Sequence, residues 1–462
     1  MNYSIISSFA FLLINFQNCF TKPSYNLFKS FVIGWLATPG RKTVANIMRT
    51  LGETAQKSHD AYQDFFSENK WELDAISKNL FTLMLLKLLP KGEIRLGGDD
   101  TLAKHFGRKI FGIGIFRDPV RSNDYHTSFI LAHNWVILYV IVKVQFIDNI
   151  WLALPVCSRL RPKQKSKLPK NKEKENNCEK SPKTDKTMVM LMKEMIELVV
   201  SFAPQRQFIF VSDAAYGSLL GQLPTNVFIV SRIRKDAKLF APPKFVKGKL
   251  GRPCKKGAQL PTPYQTSQKN DWHSVNVIIY GESITLQVHS YTGLWYNVCQ
   301  NILIRVVITH DPKGKYQDQF FFTQNLSLSE TQVIEIIASR WSVEVAHREL
   351  KQYLGMEEPQ SRLEHAVKRQ APFAMFLLSL VKIWYLTEGY LVDSFRDVKD
   401  NLYPHKQGIP FTDMLRLLRC SYWDNRIFNN SNFCHEQRKI ISQFIQFFSR
   451  VACFLIAFNC YL

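Results

Sequence analysis

Acidic residues are scarce in this chain. Its 462 residues carry 38 Asp and Glu against 60 Lys and Arg, for a formal charge of +22 and a pI near 9.5. That balance excludes a buffer for acidic substrates and favours a polyanionic partner, either nucleic acid or an anionic membrane surface. Cysteine pairing signatures are missing too. The nine cysteines are odd in number, include no CxxC pair and match no zinc framework. This excludes a disulfide miniprotein and predicts reduced, mostly buried thiols in a cytosolic protein.

Long uncharged apolar runs are also lacking. Ile5 to Ile14 has no basic flank before it, and it falls short of the roughly 20 residues a membrane span needs. Ala371 to Leu386 carries Lys382 and reads as a buried core helix, so no membrane partner is expected. What is present is 46% hydrophobic and only 21% charged residues, enough to fill real cores and too apolar for a disordered polyelectrolyte. At roughly 100–200 residues per domain the length suggests two to four domains.

Residues 1–90 read as helical. Thr43 can cap a helix over Val44–Met48, Gly52 can supply a turn, and a second helix is expected from about Ala55. This is a helix-turn-helix layout, with Arg41 and Lys42 placed to meet DNA phosphates. From Glu93 the period becomes that of strands. Expected strands are Glu93–Leu96, His133–Ile141, Phe146–Leu154, Phe208–Asp213 and Val227–Val230, with a core helix over Met188–Phe202. Between Arg159 and Lys186, Lys and Arg outnumber Asp and Glu eleven to four, which predicts a flexible basic loop. A turn-rich, β-rich stretch runs from Phe240 to about Phe322, and helices return from Ser329. The order implies an α/β domain flanked by helices, with a strand-rich insertion.

Two acids close predicted strands: Asp99, or its neighbour Asp100, and Asp213. Ligands of open α/β sheets collect beyond the carboxyl ends of strands, so the two can converge although far apart in sequence. Adjacent strand residues face opposite sides, so only one of Asp99 and Asp100 can join such a site. The segment Ser339–Lys351 is predicted helical, and on a 3.6-residue period Arg340, Glu344, Arg348 and Lys351 share a stripe, with His347 beside it. Such a stripe is either a salt-bridged surface face or a metal-binding acid flanked by phosphate-binding cations. Carboxylate oxygens suit hard cations such as Mg²⁺ or Mn²⁺.

With these motifs the chain resembles the DDE transposases of bacterial insertion sequences, in their IS4/IS701-like branch. The first acid appears in Asp99-Asp100-Thr101, the second in Asp213-Ala214-Ala215-Tyr216, and the helical signature as Arg340, Glu344 and Lys351. Ile337 stands where that signature has a tyrosine, which leaves a decayed copy open. Further matches are Gly107-Arg108-Lys109, His133-Asn134-Trp135-Val136, Gly251-Arg252-Pro253 and Phe411-Thr412-Asp413-Met414-Leu415, so the resemblance spans roughly residues 25–420.

The resemblance implies an RNase H-like catalytic domain with a β-rich insertion, preceded and followed by helical regions. It divides the chain into a DNA-binding helical region (1–90), a first part of the core (91–239), the insertion (240–325), the helical end of the core bearing the Glu (326–392) and a helical tail (393–462). Asp99, Asp213 and Glu344 would hold two Mg²⁺ or Mn²⁺ ions about 3.5–4 Å apart. Arg340, Lys351, Arg348, His347, Arg41, Lys42 and Arg252 would contact DNA. The implied activity is cutting at terminal inverted repeats and joining of the ends to target DNA. Synapsis of two ends points to a homodimer on double-stranded DNA, in the cytoplasm at the nucleoid. A DNA-binding protein that no longer cuts, or a host nuclease of the same fold, are the other readings.

Overall fold

The change from helical to strand periodicity near Glu93 marks the start of a ten-stranded mixed sheet in the computed structural model. The structure describes residues 5–118, 121–123, 125–161, 186–243, 254–269, 271–314, 316–392, 408–428, 436–437 and 439–445. Most of the expected basic loop, Arg252 and most of the expected C-terminal tail lie outside the described residues.

Five strands build the centre: β1 (Ile94–Lys104), β2 (Gly114–Arg117), β3 (Phe129–Lys143), β4 (Trp151–Leu160) and β5 (Phe208–Ser212). They are followed by β6 (Val227–Arg232), β7 (His273–Ile279), β8 (Glu282–Leu294), β9 (Leu303–His310) and β10 (Gln319–Thr323). The sheet order is β2-β3-β1-β5-β6-β10-β9-β8-β7, with β4 paired to β3. β1 runs antiparallel to β3 and parallel to β5, and β5 runs parallel to β6. The continuous apolar run of β3 is buried almost throughout, as expected for a central strand covered on both faces. β4 begins at Trp151 rather than near Phe146, because the chain turns at Asn149, whose φ is 62°. The strands between 240 and 325 are no separate body: β10 pairs antiparallel with β6 and extends the same sheet.

The helices are α1 (Ile5–Leu12), α2 (Lys22–Ala37), α3 (Val44–Leu51), α4 (His59–Ser67), α5 (Leu73–Lys87), α6 (Met188–Ser201), α7 (Pro263–Ser267), α8 (Glu330–Ser339), α9 (Trp341–Gln352), α10 (Glu364–Thr387) and α11 (Phe411–Phe428). Thr43 caps α3 by accepting the Asn46 N–H, and Gly52 ends it with a φ of 54°. The next helix starts at His59 under a Ser58 cap, not near Ala55, because a 3₁₀ turn over Gly52–Thr54 intervenes.

α10 is the core of the helical layer. Phe16, Phe28, Phe31 and Phe66 close around Phe373 and Phe376, with Phe9 on Trp384. Each such ring contributes roughly 1.5–3 kcal/mol by leaving water. Among the described residues α10 is the one helix long and apolar enough to cross a membrane, yet 89% of its apolar window is buried inside the protein. That is the behaviour of a core helix, as read from Lys382 within it. The short apolar α1 is packed against α10 and α11.

Candidate active site

Two consecutive glycines in β1 set two helices down on opposite faces of the strand. A Cβ on Gly97 would lie 2.8 Å from Val343 of α9, and one on Gly98 would lie 2.8 Å from Met192 of α6. Strand alternation then sends Asp99 to the α9 face and Asp100 to the α6 face. Asp99 meets Arg340, whose Nη1 lies 3.3 Å from its Oδ2. The same guanidinium donates through Nη2 to Glu344 Oε1 at 2.7 Å. Asp100 has different company: the Asn134 side chain hydrogen-bonds it, and Arg161 is its nearby cation.

Asp213 arrives from the neighbouring strand. Ser212 of β5 is in register with Gly98, so Asp213 comes one residue further on, level with Asp99. It caps the 3₁₀ turn over Ala214–Leu219 by accepting the Ala214 N–H at 2.8 Å. Burial pushes the Asp99 carboxyl up to about 6, against the pull of Arg340, and the charges of Asp100 and Asp213 push the same way. Burial also raises Asp100.

Arg340 owes its position to a break in the helix. α8 ends at Ser339 and α9 starts at Trp341, with 3₁₀-type bonds from Arg340 N–H to Ile337 O and from Val343 N–H to Arg340 O. The expected single helix over 339–351 is therefore jointed at this arginine. Further along, a buried ion pair between Glu349 and Lys382 at 2.6 Å holds α9 to α10, and Lys382 also donates to Ala153 O of β4. The helix carrying Glu344 is thus fixed from beneath.

The expected DNA-contacting cations part company. Arg348 and Arg41 are exposed. Lys351 is half-buried; it donates to Leu102 O at 2.8 Å and lies 3.7 Å from Glu357, and burial lowers its pKa. Lys42 is buried, its ammonium bonded to Thr38 O and its N–H to Glu358, so it presents no charge to a phosphate. His347 is a correction of the same kind. Its Nε2 is buried without a partner and its ring packs edge-on against Tyr139, so desolvation drives it down to about 3 and keeps it neutral. Both follow from packing against elements far away in sequence.

Two residues that the sequence did not single out, Arg232 and Tyr280, complete the surroundings. A cavity of about 180 Å³ beside Glu344 and Arg340 is lined by Arg232, Tyr280 and Ile337, among others. Tyr280 stands at the β7–β8 turn with a φ of 53°, and its ring lies 5.8 Å from that of Trp341. Trp341 itself is 49% exposed. The Tyr280-Gly281 pair between two strands is a hairpin-turn signal that could have located this tyrosine.

The donor chemistry of Asp99, Asp213 and Glu344 fits a hard divalent cation. Asp99 and Glu344 are drawn to Arg340 instead, and among the described residues no group of three or more His, Cys, Asp or Glu stands close enough to hold a metal ion.

Two protein families match the chain. One, described as "DDE superfamily endonuclease", matches residues 15–285 and so includes Asp99 and Asp213. The other, described as "Archaeal putative transposase ISC1217", matches residues 290–391 and includes Arg340, Glu344 and Lys351. No curated protein matches the chain. The large mixed sheet with flanking helices is consistent with a DDE, RNase H-like nuclease domain.

Proposed function

Because the chain belongs to the DDE superfamily endonucleases, we propose that it is a transposase of the IS4/IS701-like branch that cuts DNA at its element's terminal inverted repeats and joins the ends to target DNA. Both family matches support transposase-type DNA cleavage. The observation that carries the residue assignment is the Arg340 bridge, which brings Glu344 beside Asp99 although they lie on different elements.

In this reading Asp99, Asp213 and Glu344 are the acids that hold Mg²⁺ or Mn²⁺. Bound divalent ions supply activation of the attacking oxygen and stabilisation of the departing one. The chain's own residues do the rest. Asp99 and Asp213 come from neighbouring parallel strands, so the sheet sets their spacing. Glu344 comes from a helix seated on Gly97 and anchored through Glu349 and Lys382. Arg340 and Arg348 would hold phosphates. Trp341 and Tyr280 offer aromatic faces beside the cut. Bringing two DNA ends together would suit a homodimer on DNA.

The test uses a supercoiled plasmid carrying the repeats that flank the gene, incubated with the purified protein and Mg²⁺, Mn²⁺ or EDTA. Metal-dependent cuts at the repeat ends, absent in Glu344→Gln, are the expected result. Binding to the repeats with no cut under either metal would overturn the reading and leave a DNA-binding protein of the same fold.

A further inference from the structure

We propose that the β2–β3 hairpin is a finger that binds unpaired bases in DNA, on a surface separate from the acids; for the identity of its partner it rests on the reading of the protein as a DNA-cutting enzyme. β2 pairs Gly114–Arg117 with Phe129–Ala132, while β1 pairs with β3 only as far as Ala132 and β4 only as far as Trp135. The hairpin is therefore a two-stranded ribbon that runs past the end of the sheet.

The described residues near its tip are tied together by hydrogen bonds. The Asp118 N–H donates to Ser128 O, Asp118 accepts the Arg121 N–H, and Asn123 Oδ1 accepts the N–H groups of Tyr125 and His126. The neighbouring segment after β1 is pinned by the Phe111 N–H to Arg362 O and by His133 Nε2 to Phe111 O at 2.8 Å.

What this frame presents to solvent is unusual for a soluble surface. Phe106 and Tyr125 are fully exposed, at 101% and 99%, and Ile115 and Phe129 are exposed at 72% and 64%. Large apolar groups left exposed along the hairpin and on the segment after β1 mark an interaction surface. Arg108, Lys109, Arg117 and Arg121 are exposed among them. Arg117 pairs with Phe129 across the ribbon, and Ile115 follows on the same face. Aromatic rings interleaved with cations are the composition that holds single-stranded nucleic acid, because rings stack on bases while cations follow the phosphates. A paired duplex would meet the cations but offer the rings no free base faces.

Charge and position both select this partner. A second copy of the chain would bring +22 against +22 and set these cations against their own kind. β3 carries Ile137 opposite Asp99, and Phe129 lies eight residues further along the strand. At about 3.4 Å per residue that is about 27 Å, or roughly eight nucleotide steps of DNA leaving the acids.

The full-length protein is tested by fluorescence anisotropy on a repeat-end duplex, either blunt or carrying a single-stranded extension. The extended DNA binds about tenfold more tightly to the wild type, and the combined variant Phe106→Ala/Tyr125→Ala/Phe129→Ala loses that preference while holding blunt duplex as before. Arg117→Ala with Arg121→Ala lowers the salt slope on extended DNA by about 1.4. No preference in the wild type, or an undiminished preference in the triple variant, overturns the finger. So does light scattering that shows the triple variant losing a dimer, since a second copy would then cover the patch. Cleavage of the plasmid without the preference sinks the finger alone; the preference without cleavage sinks the proposed activity alone.

Discussion

One guanidinium joins Asp99 to Glu344: Arg340 lies 3.3 Å from the first and 2.7 Å from the second, and only 12% of its side chain is exposed. A single cation thereby balances two carboxylates that would otherwise repel each other in a partly desolvated pocket. If these acids hold a divalent ion, as proposed above, Arg340 competes with it for the same two carboxylates, and its removal then has a measurable consequence. Arg340→Gln should bind Mn²⁺ about tenfold more tightly than wild type in the absence of DNA, and bind DNA more weakly. Titration calorimetry with MnCl₂ on the DNA-free protein reads this; equal or weaker Mn²⁺ binding would show that the bridge does not compete with metal.

Glu344→Gln keeps the length and the hydrogen bond to Arg340 but removes the charge. Cleavage should fall by at least about 10²-fold, equivalent to roughly 2.7 kcal/mol in the barrier, while binding to repeat ends stays within about twofold. Retained cutting rules out Glu344 as the third acid.

Gly97→Ala tests how the helix is seated. The added methyl would lie 2.8 Å from Val343 and 2.9 Å from Ile141, so α9 must move outward. Overpacking of this kind costs about 1–3 kcal/mol. The protein should remain folded, by its thermal melt, yet lose cleavage because Glu344 has left Asp99. Full activity would mean that the site tolerates a shifted helix.

Lys382→Met leaves Glu349 buried without its cation. A destabilisation of about 3–5 kcal/mol is expected in urea unfolding, and the double variant Lys382→Met/Glu349→Leu should recover most of it. A double variant no more stable than the single one would show that the pair itself is not what holds α9.

His105 and His133 meet edge-on, with ring centroids 4.5 Å apart. Burial brings His105 down to about 4 and lowers His133 as well. Below the ordinary histidine range the unfolded chain takes up protons that the folded one refuses. Their contribution is therefore complete above pH 6.5 and is lost as the pH falls from 6.5 toward 4. The loss is on the order of 2 kcal/mol once partial exposure of the ring is allowed for. Denaturation midpoints of wild type and His105→Phe across that window decide it; equal pH slopes would refute the assignment.

Much of this architecture was legible in the chain itself. The β-branched and aromatic run of β3, the apolar spacing of α6 and α10 and the acid that follows β5 are local patterns, and local patterns report local geometry; Asp99, expected to close a strand, lies instead inside β1, which runs on to Lys104. The spacing of Arg340 and Glu344 forecast their contact, since residues four apart meet on a helix. The strand after Asn149 was misplaced because a turn at a positive-φ asparagine leaves little trace in apolar periodicity.

Sequence alone determined which residue types the site has to draw on, and with them the class of chemistry. Tertiary structure decided which of those residues face one another. Gly97 and Gly98 sent Asp99 toward Glu344 and Asp100 toward α6, a choice made by helices packing on opposite faces of one strand. Lys42 and His347 carry the right chemistry at the right spacing but are desolvated by elements distant in sequence. Tyr280 and Trp341 became neighbours because the strands after Asp271 extend the same sheet. Burial and long-range pairing depend on the whole chain at once, and no short window of residues contains them.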